Sequence, residues 1–453
     1  MIVFPAKVAA ARAAAGLSRR AGAGGGTSLP GKLLLRMAPD AIPRLSRRIA
    51  GGTVVVSATN GKTTTSKMLA AMLEPERRLC RNSAGANLAS GVASALLACR
   101  GADLGVFEVD EAALEAVAPA LAPRVLGLGN LFRDQLDRYG ELETVAARWR
   151  RISAAGPWRL VRNADDPLVA GLPGNDGSLS YGIDDPSVAL PDLPHAADSK
   201  WCGVCGERLR YDAVYLGHLG AWACPACGNA RPALEVSATG VAFDGLNGTG
   251  FTLRTPLGER RVSMPLPGLY NVYNALAAVA MACAMGDVAL ERMAAGLEAF
   301  GPAFGRFERV SVNGHEAVLV LSKNPAGANE VIRTLAHDPA PKRLVVALND
   351  RIADGRDVSW IWDVDFEPLL AGLDRLVATG SRAAELALRF AYGGMPRERI
   401  EVVPSPERAI DRGLELTPAG GELTVLPTYT AMLAMRKIVA ARGHVTNYWE
   451  DAA

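Results

Sequence analysis

Residues 54–65 read VVVSATNGKTTT. Three consecutive valines argue for a strand, and the run KTTTSKMLAAML beginning at Lys62 argues for a helix, so Gly61 sits in a strand-to-helix turn. At such a turn the first N–H groups of the helix converge on phosphate oxygens, Lys62 neutralises the β/γ oxygens, and the Thr63 hydroxyl reaches Mg²⁺. Thr59, Asn60 and Thr64 are the remaining candidate phosphate contacts of the loop. The spacing departs from the usual phosphate loop, because Val56 rather than glycine stands five positions before Gly61. A chance Gly-Lys-Thr in a surface turn is the bland alternative, and the flanking strand and helix weigh against it.

Outward from this loop the same grammar repeats. LGVFEVDEAAL (104–114) and RVLGLGNLFRDQLDRYG (124–140) each pass from an apolar run to a polar turn, which predicts a parallel α/β sheet with its loops at the carboxyl ends of strands. LPGLYNVYNALAAVAMACAMG (266–286) predicts a long helix. A further α/β unit starts around 310, with strand-like runs EAVLVL, RLVVALN, RLVAT and ELTVL. The expected organisation is a basic leader at 1–50, an ATP-binding central domain at 51–309 with an insertion at 195–232, and a C-terminal α/β domain at 310–453. A chain of 453 residues is too long for one core.

Composition narrows the class. The chain is 49% hydrophobic and 21% charged with net charge +2, and no window approaches the roughly 18–20 apolar residues of a membrane span. Lys7 and Arg12 interrupt the apolar start, so a cytoplasmic protein is expected. Residues 1–50 hold nine Lys/Arg against only Asp40. Such a segment suits the anionic inner membrane face or a phosphorylated partner; a helix with a solvated basic face is the bland alternative.

Of seven cysteines, Cys202, Cys205, Cys224 and Cys227 form two Cys-x-x-Cys pairs separated by eighteen residues, a zinc-ribbon spacing. Four thiolates close a tetrahedral Zn²⁺ site with no open position, so the metal is expected to be structural. Cys80, Cys99 and Cys283 are expected to be inert thiols in a reducing compartment. Within 195–232 four basic residues face Asp198, Glu207 and Asp212, too weak an excess for a nucleic-acid surface.

The loop SATNGKTT resembles the G-T-N-G-K-T-T loop of Mur ligases and folylpolyglutamate synthases, with Ala58 in place of the first glycine. Further motifs follow in that family's order: Glu108 in FEVDE, DQLDRYG (134–140), NADDP (163–167), LPGLYNVYNALAA (266–278) and GRFE (305–308). The resemblance implies a Mur-ligase-like central ATPase domain and a C-terminal Rossmann-like domain. It implies ATP and Mg²⁺ as cofactors, Thr63 and Glu108 as Mg²⁺ ligands, and Asn271 and Arg306 as nucleotide contacts. Helix capping is the alternative for Asn271, and turn formation for Asp165 and Asp166. Gln135 stands where amino-acid-adding members have a metal-binding histidine, and no lysine lies between Lys67 and Lys200 to be carbamylated. The second substrate is therefore expected to bind differently.

The cysteine ribbon, TSLPGKLLLRMAP (27–39), SKNPAGANEV (322–331), LNDRIADGRDVSWIWDVDFE (348–367) and PTYTAM (427–432) look like the MurT-type subunits of lipid II isoglutaminyl synthase. That resemblance implies pairing with a GatD-type glutaminase and ATP-dependent amidation of the D-glutamate α-carboxylate of lipid II, at the cytoplasmic face of the membrane. It further implies that Asp357 completes a Cys-His-Asp triad across the subunit interface, with Asp354 and Asp363 as nearby alternatives. None of Cys80, Cys99 or Cys283 has a Gly-x-Cys-x-Gly context, so ammonia must be made elsewhere. The rival readings are a ligase adding an amino acid and a nucleotide-binding scaffold without chemistry.

Overall fold

Val54 and Val56 point into one core and Val55 into another, and all three are buried. Alternation on a strand covered on both faces explains why β1 (Thr53–Ser57) is uniformly apolar at its centre. In this computed structural model the chain is described at residues 3–20, 28–82, 85–134, 141–194, 197–301, 306–312, 314–336 and 342–442.

β1 lies inside a nine-stranded sheet of order β11-β10-β9-β6-β5-β4-β1-β3-β2. β2 (Leu79–Arg81), β3 (Leu104–Glu108), β4 (Val125–Leu128), β5 (Arg159–Asn163) and β6 (Leu179–Ile183) run parallel with it. β9 (Val236–Asp244) joins β6 in parallel, then β10 (Gly248–Thr255) and β11 (Gly258–Met264) close the edge as an antiparallel meander. Helices Lys62–Leu73 and Leu269–Met285 fill one face. The other face carries Phe4–Arg20, Leu29–Met37, Ala41–Ser46, Ala89–Ala98, Leu114–Leu121 and Leu142–Ala155. The described part of the basic leader is thus a packed helical layer.

The segment around the four cysteines interrupts this sheet between β6 and β9. It contains one hairpin, β7 (Arg210–Leu216) with β8 (Leu219–Ala223).

A second sheet has the order β12-β13-β17-β14-β15-β16. It starts with β12 (Arg306–Val312), so Arg306, Phe307 and Glu308 of GRFE belong to this second sheet, although the expected boundary at 310 leaves them in the central domain. β12 pairs antiparallel with β13 (His315–Val320); β17 (Glu422–Pro427), β14 (Lys342–Ala347), β15 (Leu373–Thr379) and β16 (Ile400–Val402) follow in parallel. Because β17 inserts between β13 and β14, the strand ends at Val320, Ala347 and Pro427 lie side by side at one edge. Loops after parallel strands gather at such a switch point.

One expectation is corrected here. Cys80 and Cys99 are joined in a disulfide, with Cα atoms 5.7 Å apart, and are not separate inert thiols. Cys80 lies on the edge strand β2 and Cys99 caps the helix Ala89–Ala98, which packs back along that strand. The pairing argues against a framework in which every cysteine is reduced. Cys283 is half-buried, and burial pushes its thiol up to about 11.

Candidate active site

Gly61 adopts φ +90°, a left-handed conformation that glycine takes without strain. A Cβ there would lie 2.0 Å from Asn274 Oδ1, so the loop also needs the missing side chain. The loop is held from outside by Asn130, just beyond β4. Asn60 N–H donates to Asn130 Oδ1 at 2.9 Å, Asn130 Nδ2 donates to Asn60 O at 3.1 Å, and Thr59 N–H donates to Asn130 O. Thr59 Oγ1 in turn accepts from Phe132 N–H at 3.1 Å. Lys62 opens the helix, with Thr63 half-buried and Thr64 buried behind it.

The Lys62 ammonium donates to Glu111 Oε2 at 2.7 Å and to Thr59 O at 3.3 Å, and also to Ala58 O. From the other sheet, Lys323 donates to the same Thr59 O at 3.3 Å and pairs with the buried carboxylate of Asp134. Asn324 joins Asn60 by two side-chain hydrogen bonds of 3.0 and 3.3 Å. Burial opposes the charge on Lys62, but Glu111 and Asp110 outweigh it and raise its pKa. Burial also disfavours ionised Glu111, yet Lys62 and Lys323 hold its carboxyl below the ordinary range. Asp134 goes the other way: burial raises it, with Lys323 only partly compensating.

Glu108 ends β3 and is buried, opposite Val56 in the strand register and therefore level with the start of the loop. Asn82 brackets its backbone, accepting from Glu108 N–H at 3.0 Å and donating to Glu108 O at 2.7 Å. Asn271 is buried at the start of the long helix, where its Nδ2 donates to Pro267 O at 2.7 Å. Asn274 Nδ2 donates to Asn271 Oδ1 at 3.2 Å. Beside it a cleft is lined by Ala58, Asn60, Asn130, Tyr181, Tyr273 and Asn274, among others. Arg306 opens β12, but its side chain and Gln135 lie outside the described residues.

Asp165 and Asp166 are both fully buried; Asp165 lies in the turn that follows β5, as the turn-forming alternative has it. Asp166 caps the short helix Pro167–Ala170 through Leu168 N–H and also accepts from Leu131 N–H at 2.8 Å. Asp165 accepts from Arg231 at 3.0 Å, Tyr273 Oη at 2.7 Å and Ile183 N–H at 2.9 Å. Burial nevertheless pushes its carboxyl up to about 6.

The Sγ atoms of Cys202, Cys205, Cys224 and Cys227 all lie within 4.8 Å of one another, with Cys202–Cys227 at 3.6 Å and Cys205–Cys224 at 3.4 Å. Four sulfurs about 2.3 Å from a tetrahedral Zn²⁺ would stand about 3.8 Å apart, so the quartet fits zinc. The hairpin beside it is anchored to the main sheet: Trp222 Nε1 donates to Ala164 O at 3.0 Å, and the buried His218 ring packs 4.8 Å from Phe132. Arg133, next to Asp134, binds Asp198 of the insertion and Asp363 of the second sheet's loop.

The acidic loop after β14 separates by burial. Asp354 is buried, accepting from Thr430 N–H at 2.7 Å and from Thr430 Oγ1 at 2.5 Å, and so fixes the helix Tyr429–Ala441. Asp350 accepts from Ser381 Oγ at 2.7 Å. Asp357 is exposed; its one carboxylate oxygen accepts from Ser359 N–H at 2.8 Å, and hydrogen bonds from Ser359 lower its pKa. The sequence reading assigned no role to Glu111, Asn130, Asp134, Lys323 or Asn324. Glu111, Asp134, Lys323 and Asn324 lie in the family-like segments FEVDE, DQLDRYG and SKNPAGANEV, while Asn130 offered only its place just after an apolar run.

A parallel sheet with a phosphate loop, overlaid by a second α/β sheet contributing a lysine, is the architecture of the Mur ligases. The Mur ligase middle domain matches residues 56–200 and the MurT ligase C-terminal domain matches residues 321–432. A pseudomurein peptide ligase type C from Methanothermus fervidus superposes with a TM-score of 0.70 at 25% identity, covering 88% of this chain and 80% of that one. The MurF ligase from Thermotoga maritima in complex with ADP gives 0.62 at 16% identity over 89% and 84%, a likeness of fold.

The lipid II isoglutaminyl synthase (glutamine-hydrolyzing) subunit MurT of Streptococcus pneumoniae is 33% identical over 92% of this chain and 93% of its own. Its namesake from Staphylococcus aureus is 32% identical over 90% and 92%. The chain belongs to the MurT family of Mur ligases.

Proposed function

We propose that this chain is the ATP-using subunit of a lipid II isoglutaminyl synthase, amidating the D-glutamate α-carboxylate of the stem peptide with ammonia from a GatD-type glutaminase. The observation that carries the chemistry is the convergence of Lys62 and Lys323 on Thr59 O at the mouth of the phosphate loop. A buried ammonium group, Lys62, and a half-buried one, Lys323, held beside Glu111 and Asp134 form a site suited to a polyphosphate, which exchanges carboxylate partners for phosphoryl oxygens.

A carboxylate is a poor electrophile. Its oxygen attacks the γ-phosphorus of ATP and ADP departs; the ammonia lone pair then attacks the acyl carbon, phosphate leaves, and the nitrogen sheds a proton. Catalysis here is positioning and charge stabilisation. Lys62 and the amides after Gly61 neutralise charge from below, while Lys323 brings a second cation from the other sheet and Asn324 ties that sheet to Asn60. Mg²⁺, which Thr63 and Glu108 would hold, supplies further neutralisation at the transferring oxygens. Asn271 and Arg306 are the proposed adenine-side contacts.

Among the described residues no helix is long and apolar enough to cross a membrane. The proposed place of action is the cytoplasmic membrane face, where a lipid-linked acceptor is met. Incubating the chain with ATP, lipid II and ammonia, then weighing the stem peptide, tests the reading. The amide is the expected product, and an unchanged acid despite ATP turnover would overturn it.

A further inference from the structure

We propose that the N-terminal helical layer carries a docking face for an anionic lipid surface, built from Val3, Phe4, Arg36, Arg44, Arg47 and Arg48. The inference rests on the lipid II reading only for its purpose; the binding stands on the surface itself. Val3 is 70% exposed, yet it is fixed, because its carbonyl accepts the first bonds of the helix from Ala6 and Lys7 N–H. The Phe4 ring lies 4.9 Å from the Arg44 guanidinium and 5.9 Å from that of Arg48. Lys7 Nζ donates to Met37 O at 2.5 Å, which ties the first helix to the end of Leu29–Met37, where Arg36 stands in the last turn. Arg36, Arg47 and Arg48 are exposed.

The charge at this corner is one-sided. Asp40 is the sole acid of the first fifty residues, and it is paired with Arg44 at 2.6 Å. Nearby acids on adjoining elements are engaged elsewhere: Glu115 with Arg151 and Asp103 with Arg78. An exposed apolar tip ringed by basic residues is the composition of an interfacial anchor. Each basic residue held at an anionic surface strengthens binding roughly fivefold.

The face is also connected to the chemistry. Helix Leu29–Met37 sits directly on helix Ala89–Ala98: Gly31 N–H donates to Ser94 Oγ at 2.8 Å, and a Cβ on Gly31 would meet Ser90 O at 1.9 Å. The loop leading into that second helix holds Glu108 through Asn82 and Asp110 through Asn87 O. Docking this layer on a bilayer therefore sets the acid-bearing edge of β3 at a fixed distance from lipid headgroups.

The test is co-sedimentation of the full chain with vesicles of phosphatidylglycerol and phosphatidylcholine in equal parts, against phosphatidylcholine alone. Binding to the anionic vesicles is expected, weakening as salt rises. Arg44→Glu with Arg48→Glu should weaken it at least roughly tenfold, as should Arg36→Glu with Arg47→Glu, whose side chains lie outside the Phe4 contact. Val3→Asp should weaken it as well. Arg397→Glu with Arg399→Glu, exposed on the second sheet's unit, makes the same change in net charge and should leave binding intact.

Equal binding to both vesicle types, or equal loss in the Arg397/Arg399 control, overturns the proposal. In the activity arm, the Arg36/Arg47 variant should amidate detergent-dispersed lipid II like the wild type but lose activity on lipid II in anionic vesicles. Failure of the wild type on both forms would sink the functional reading, while vesicle binding would still decide the docking face by itself.

Discussion

Lys62 and Lys323 donate to one acceptor, the Thr59 carbonyl oxygen, each at 3.3 Å, although they belong to different sheets. Both should therefore be needed for phosphoryl transfer. Lys62→Ala is expected to cost roughly a hundredfold or more in ATP turnover, and Lys323→Ala a comparable factor, with the fold retained in each by circular dichroism. Near-normal acyl-phosphate formation in the Lys323 variant would show that the contact only braces the domains.

Asp357 and Asp354 should part company. Asp357 is exposed, its carboxyl is held below the usual range by Ser359, and it is the proposed acceptor of an imidazole N–H from a partner subunit. Asp357→Asn is expected to suppress glutamine-driven amidation while sparing the ammonia-driven reaction. Asp354→Asn weakens the anchor at Thr430 and should lower both reactions together with thermal stability. Equal loss of both activities in the Asp357 variant would place that residue in the fold or the ligase site instead.

One Zn²⁺ per chain is expected in freshly purified, reduced protein, and none after Cys202→Ser with Cys227→Ser. Because the insertion is tied to Ala164, Phe132 and Arg133, metal loss should also lower the melting temperature of the main domain. Elemental analysis alongside calorimetry checks both halves, and zinc retained by the double variant would refute the assignment.

Glu330 supplies a pH signature. It is buried on the helix Pro325–Ala336 beside Gly268 and Phe243, where burial, partly offset by Arg333, raises its carboxyl from 4.5 to about 7. Folding thus favours the proton: this stabilising contribution is complete below pH 4.5 and is lost as pH rises through about 7. The displacement corresponds to roughly 3 kcal/mol at most. Glu330→Gln, which stays neutral, should flatten the slope of melting temperature across that window and melt higher than wild type above it. A parallel slope in the variant would remove Glu330 from the pH response.

The phosphate loop was legible because its causes are local: β-branched residues make β1, and Gly61 makes the turn that aims Lys62. The cysteine quartet was legible for a similar reason, since two short pairs at ribbon spacing can meet whatever surrounds them. Neither argument needs to know where the rest of the chain goes.

The tertiary structure decided the partners. Placing β17 between β13 and β14 sets the strand end before Lys323 and Asn324 against the loop. Glu111 and Asp134 follow β3 and β4, the two strands that flank β1 in the first sheet, so their burial beside those lysines depends on strand order, which periodicity does not encode. The Cys80–Cys99 bond has the same origin: helix Ala89–Ala98 returns along β2, and only that packing brings the two sulfurs together. Sequence determined the local conformations because they rest on each residue's own sterics; packing alone determined which charges became neighbours, because a buried charge takes its properties from groups far away in the chain.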